Sequence, residues 1–207
     1  MFKDRSDAGK KLALKLLKYK GKNTVILSIP RGGVIVGYEI AKELNAKLSL
    51  IFSRKISAPL QPELAIGAIA EDGTLWLNEK IIKTLNISEE YIKMAMKEEM
   101  KKIEKMKKKY YRKDLNLSGK IVIITDDGVA TGATIKAAAV FVKKQKPKKI
   151  ILAFPVIPKD MISDLKVFSD EIIYLEAPLI FHAVGEFYEN FEQVEDRKVL
   201  EILNKSI

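Results

Sequence analysis

The apolar positions of this chain fall into short unbroken runs separated by segments of helical period. Residues 24–29, 48–52, 121–125, 150–156 and 171–175 are runs rich in Val, Ile and Leu, the pattern of strands buried on both faces. Between them, residues 34–45, 132–145 and 159–166 read as helices. A first helix is expected from Ser6 or Asp7 to about Lys20, with Ala8, Leu12, Leu16 and Tyr19 on one face. Residues 53–63 contain Pro59 and Pro62 and read as a loop, and 65–70 with 74–77 read as a hairpin about Glu71-Asp72-Gly73. Residues 88–113 predict a long helix with Ile92, Met96, Met100, Ile103, Met106 and Tyr110 on one stripe, a spacing that usually means core packing. Strand and helix alternate, so the expectation is one α/β domain over 1–207, a Rossmann-like parallel sheet flanked by helices. Ligands of such sheets sit at the C-terminal ends of the strands.

Composition narrows the chemistry. The 207 residues contain no cysteine and one histidine, His182, which excludes disulfides, thiolate metal sites, cysteine nucleophiles and a histidine-rich metal centre. No apolar run reaches the roughly 20 residues of a membrane helix, and residues 1–11 carry four basic residues without an apolar core, so a cytoplasmic protein is expected. The net charge is +10. It is concentrated in two places: residues 89–113 hold ten Lys or Arg against five Glu, and 143–149 hold five Lys and no acid. The excess is almost all lysine, with arginine only at 5, 31, 54, 112 and 197. Base readout and bidentate phosphate clamps favour arginine, so nucleic-acid binding is not the preferred reading of this charge.

One strand end carries unusual chemistry. The run 121–125 ends in Asp126-Asp127-Gly128-Val129-Ala130-Thr131-Gly132-Ala133-Thr134 and enters a helix. Small residues, a glycine and two hydroxyls at a helix N-terminus leave free backbone amides for a phosphate monoester. The adjacent carboxylates suit sugar hydroxyls or a hydrated divalent cation. Phosphate, diol and Mg²⁺ together describe a phosphorylated ribose.

This stretch resembles the phosphoribosyl-pyrophosphate (PRPP) signature of type I phosphoribosyltransferases: an apolar strand, two acids, then Ala-Thr-Gly-x-Thr. Gly128 departs from the aliphatic residue usual there. Ile29-Pro30-Arg31-Gly32-Gly33, followed by a helix, is similar to the pyrophosphate loop of the xanthine–guanine enzymes, with Arg31–Gly32 a candidate cis peptide. Ser53-Arg54-Lys55 resembles the basic pair that precedes a mobile active-site loop, which would be 56–63 here. Phe2-Lys3-Asp4-Arg5, the string from Arg54 to Gly73, and Ala183-Val184-Gly185 with Tyr188 and Phe191 are similar to an uncharacterised subgroup of the family, so the resemblance spans nearly the whole chain.

The resemblance implies an enzyme, a pentosyltransferase that displaces pyrophosphate from PRPP with a nitrogen acceptor, taken to be a nucleobase. Asp126 and Asp127 would hold the ribose hydroxyls and, through water, Mg²⁺. Ala130, Thr131, Gly132, Ala133 and Thr134 would bind the 5-phosphate. Arg31, Gly32, Gly33, Arg54 and Lys55 would face the pyrophosphate, and Asp126, Asp127, Arg54 and Lys55 form the expected catalytic set. Hypoxanthine–guanine enzymes carry an Asp before Thr-Gly, where this chain has Ala130; Glu63 and Glu71 remain open as the acid or base. A small hood lobe over the acceptor is expected from about 171–207 with N-terminal residues, Phe187 and Tyr188 being candidates to stack on the base. A homodimer fits the family. The competing function is a PRPP-sensing regulator that binds RNA or DNA through its lysine segments.

Overall fold

The computed structural model describes residues 1–110 and 116–205. Five strands form a fully parallel sheet: β1 (Thr24–Ser28), β2 (Lys47–Leu50), β6 (Ile121–Thr125), β7 (Lys149–Val156) and β8 (Glu171–Glu176). Their spatial order is β2-β1-β6-β7-β8, which brings the ends of β1 and β6 side by side. The central strands alternate strictly between two cores, as the two-residue period of a strand requires. Ile26, Ile123 and Ile151 face α1 (Arg5–Lys15) and α2 (Gly33–Leu44), packing with Leu12, Leu16, Ile40 and Leu44. Val25, Leu27, Val122, Ile124 and Leu152 face α5 (Ala133–Lys144) and α6 (Lys159–Lys166), packing with Ile135, Ala138, Val142 and Leu165. Each fully buried Ile, Leu or Val is worth about 1.5–3 kcal/mol, so a sheet covered on both faces is strongly held. The Rossmann-like expectation holds.

The expected first helix is shorter, with α1 ending at Lys15 and a single 3-10 turn at Leu17–Tyr19 carrying its face onward. Its cap is Asp4, whose carboxylate accepts the Asp7 amide at 2.8 Å, rather than Ser6 or Asp7.

The larger correction concerns 53–63, which is not a loop. β3 (Ser53–Ala58), β4 (Gln61–Ala70) and β5 (Leu75–Leu77) form a separate antiparallel sheet. The chain reverses at Pro59-Leu60, with Leu60 in the left-handed region (φ 60). Pro62 is tolerated because only Gly67–Ile69 of β4 also pair with β5, so the missing N–H lies where β4 has one neighbour. The 65–70 and 74–77 hairpin is present as expected.

The long helix is α4 (Glu89–Tyr110), preceded by the short α3 (Glu79–Thr84); positions 111–113 of the expected helix lie outside the described residues. The stripe reads as core. Ile92, Ile103 and Tyr110 are buried, and Met96, Met100 and Met106 pack with Ile56, Ile66 and Ile69 on one face of the small sheet. The other face, with Ala68, Ala70 and Trp76, meets Ala133 and Ala137 of α5. The final helix, α7 (Asp196–Lys205), buries Val199 and Ile202 in the α4 cluster. Among the described residues no helix is long and apolar enough to cross a membrane.

Candidate active site

Adjacent parallel strands place two sequence-distant loops together. The Ile29 amide donates to the Thr125 carbonyl at 3.0 Å, so the turn after β1 lies against the turn after β6. Gly32 caps α2, and a Cβ built on it would lie 1.9 Å from Asp127 Oδ2. A Cβ on Gly33 would lie 2.8 Å from Asp126 Cα and Oδ1. Both glycines are therefore needed for close approach, since φ at Gly32 (−58°) is open to any residue. The cis peptide is Pro30–Arg31, one residue before the bond expected from the loop pattern.

Asp126 Oδ1 accepts the Asp127 backbone amide at 2.8 Å. Burial, together with the neighbouring Asp127 carboxylate, pushes the Asp126 carboxyl well above the ordinary range. Asp127 is held from two directions. Its Oδ2 accepts Arg5 Nε at 2.7 Å, and its carbonyl accepts the Tyr188 hydroxyl at 2.5 Å. Arg5 is itself buried, donates through Nη1 to the Glu192 carbonyl at 2.8 Å, and lies 3.8 Å from the centre of the Phe191 ring. The pattern along the chain singled out Arg5 only as part of a motif. Its scarcity, one of five arginines, and its position directly after a capping Asp were the available signals.

After Asp127, Val129 is buried while Ala130 and Thr131 are exposed. Gly132 caps α5 with φ 67, a left-handed conformation that favours glycine. The first amides of α5 lack intrahelical partners by geometry and carry the positive end of its dipole. Ala133 is buried and Thr134 half-buried in that turn.

All three expected pyrophosphate cations meet acids. Arg54 Nε donates to Glu99 of α4 at 2.5 Å, Lys55 Nζ lies 3.6 Å from Glu63, and Arg31 Nη1 lies 3.8 Å from Asp196. Arg54 and Lys55 sit on β3, so the small sheet rather than a loop carries them. Glu71, the other open acid, is buried, and its carboxylate accepts the Phe52 amide at 3.0 Å. Beside Arg5 and Arg31 run two adjoining clefts of about 480 and 420 Å³ that share Gln193, Val194 and Glu195.

The C-terminal aromatic residues mostly pack with one another and with Phe2. Tyr188 is buried between Phe2 and Phe191, with ring centres 5.3 and 4.9 Å away, and is not an open stacking surface. Burial and the nearby Asp127 charge raise its phenol well above the usual value, so it stays a donor. Phe187 is half-buried and stacks on Phe181 at 5.8 Å. Of the described residues 171–205, the first six are the edge strand β8, and Val184, Phe187, Tyr188 and Phe191 pack with Phe2 and Ala8.

Comparison with known proteins places this arrangement in context. A family model described as the phosphoribosyl transferase domain matches residues 3–173. A Mycobacterium tuberculosis protein assigned by name to the phosphoribosyl transferases is 38% identical over 208 residues, covering 100% of this chain and 47% of that protein. The chain thus spans about half the length of the curated relatives it matches. A crystal structure of a Thermus thermophilus protein superposes with a TM-score of 0.84 at 34% identity, covering 100% of this chain and 99% of that one. A stretch of 52 residues is 44% identical to the adenine phosphoribosyltransferase of Bacteroides thetaiotaomicron, 25% of this chain and 29% of that enzyme.

Proposed function

The chain belongs to the phosphoribosyl transferase family, and from that premise we propose that it binds PRPP with Mg²⁺ and transfers the phosphoribosyl group to a nitrogen acceptor, releasing pyrophosphate. The observation that carries this reading is the contact of Gly32 and Gly33 with Asp127 and Asp126. A backbone that can lie flat against a diphosphate is thereby set beside the carboxylates that would take a ribose diol. The amides from Thr131 to Thr134 at the α5 N-terminus would hold the 5-phosphate and fix the sugar for attack at C1. Arg31, Arg54 and Lys55 would stabilise charge on the leaving pyrophosphate. Arg5 and Tyr188 would hold Asp127 in the orientation its role requires.

The donor set fits Mg²⁺ as a partly hydrated ion. Asp126 and Asp127 offer only oxygen, and among the described residues no cluster of three acidic or histidine ligands exists, so water and PRPP oxygens would complete the shell. When bound, the cation would neutralise the diphosphate as the C1–O bond breaks.

The acceptor is proposed to be a nucleobase outside the hypoxanthine–guanine type, because Ala130 brings no acid or base to the position before Thr131. Glu71 is buried with its carboxylate accepting the Phe52 amide, and Glu63 is exposed near the β3–β4 tip; these two acids are the candidates for acid or base. Incubation with PRPP, Mg²⁺ and a panel of nucleobases should release pyrophosphate with at least one base, adenine being the first to try. Absence of turnover with every base would count against the transferase reading.

A further inference from the structure

Arg31 follows β1 and Arg54 lies on β3, yet each meets an acid that a lysine of α4 also holds. Glu99 Oε2 accepts from Arg54 at 2.5 Å while its Oε1 accepts from Lys102 at 2.5 Å. Asp196 Oδ1 lies 3.8 Å from Arg31, its Oδ2 accepts from Lys109, and the buried Tyr110 donates its hydroxyl to the same carboxylate. The Glu99 side chain is only 13% exposed, so its charge is poorly screened, whereas Lys102 and Lys109 are 51% and 52% exposed. The result is two parallel chains of arginine, acid and lysine, each running from the strand ends to the surface of α4.

We propose that Glu99 and Asp196 set the anion affinity of the pyrophosphate subsite, as displaceable counter-charges whose hold on Arg54 and Arg31 is weakened by Lys102 and Lys109. The inference rests on the assignment of Arg31 and Arg54 to that subsite. An incoming diphosphate must draw each arginine away from its acid, and the acid left behind needs another cation. Lys102 and Lys109 already contact those acids, so the exchange does not strand the charge of the little-exposed Glu99 or leave the more exposed Asp196 unpaired. A weakly charged anion offers the arginines less than the acids do and is turned away. Two of the eight lysines of α4 thereby acquire a role in the site.

The test is calorimetric titration with inorganic pyrophosphate, and separately with PRPP, each with Mg²⁺. It uses wild type, Glu99→Gln, Lys102→Ala, their double variant and Asp196→Asn, all checked by thermal melting. Removing the counter-charge should tighten pyrophosphate binding about fivefold in Glu99→Gln, with a change of the same sign in Asp196→Asn. Removing the lysine leaves Glu99 more firmly on Arg54 and should weaken binding about twofold. In the Glu99→Gln background the Lys102→Ala effect should vanish, an outcome a merely structural role does not produce. Should Glu99→Gln fail to fold, the sign of Asp196→Asn decides. Wild-type binding with unchanged or weaker affinity in the acid variants overturns this assignment alone. No binding of either ligand by the wild type overturns it together with the phosphoribosyl reading.

Discussion

Gly32 shows how tightly single residues define the site. The residue adds no side chain where the Asp127 carboxylate passes 1.9 Å from the position of its absent Cβ, with Arg5 Nε 2.9 Å away. A methyl there must push Asp127 off Arg5 or shift the turn after β1. Gly32→Ala should therefore lower PRPP affinity about tenfold or more and lower the melting temperature by a few degrees, as overpacking at a close backbone contact does. Titration and melting of that variant check both. Arg5 is the complementary lesson. The pair of carboxylates stood out in the sequence because acids at a strand end before a small-residue turn have few other uses. The arginine that meets one of them did not, because a contact between residues 122 apart in the chain leaves no periodic trace.

At the level of elements, the three central strands β1, β6 and β7 were legible because burial on both faces makes them continuous apolar runs, while the edge strands β2 and β8 carry shorter apolar stretches. The β3–β4 arm was not legible. Residues 61–63 are exposed, Pro59 and Pro62 sit near its tip, and β3 reads Ser, Arg, Lys, Ile, Ser, Ala, neither an apolar run nor a clean alternation. Gly128 is a second case. Its departure from an aliphatic residue suggests a loosened turn in the sequence alone. In the fold, a Cβ there would meet Val184 at 2.5 Å and Val156 at 2.9 Å, so Gly128 makes room for Val184 to pack over the strand ends. Gly128→Val should cost about 1–3 kcal/mol, measured by chemical denaturation, and Val184→Ala in the same chain should recover part of it. Full stability of Gly128→Val would remove this account of the departure.

Across the whole molecule, the charge that first suggested a polyanion partner is divided. The α4 lysines and those at the end of α5 belong to helices packed on opposite faces of the small sheet, so they do not form one surface. Some are committed elsewhere. Lys149 donates to Glu171 at 2.7 Å, and Lys18 and Tyr19 reach the same carboxylate, tying the edge strand β8 to the segment after α1. Partial burial alone would raise Glu171, but these hydrogen bonds outweigh it and bring its pKa from 4.5 to about 2. A depressed folded pKa stabilises above the unfolded value and is lost as pH falls through the folded one. The contribution, about 1–2 kcal/mol for such a network, should hold above pH 4.5 and disappear by about pH 2. Melting temperatures of wild type and Glu171→Gln should differ near neutrality and converge over that window; a constant gap would contradict the linkage.

The central claim is that Asp126 and Asp127, set against Gly32 and Gly33, form a PRPP site. Calorimetric titration with PRPP in the presence of Mg²⁺, comparing wild type with Asp126→Asn/Asp127→Asn, tests it most directly. The account predicts saturable binding by the wild type and none by the double variant, with cooperative melting retained in both. Equal affinity in the two proteins, or no binding by the wild type, would contradict it.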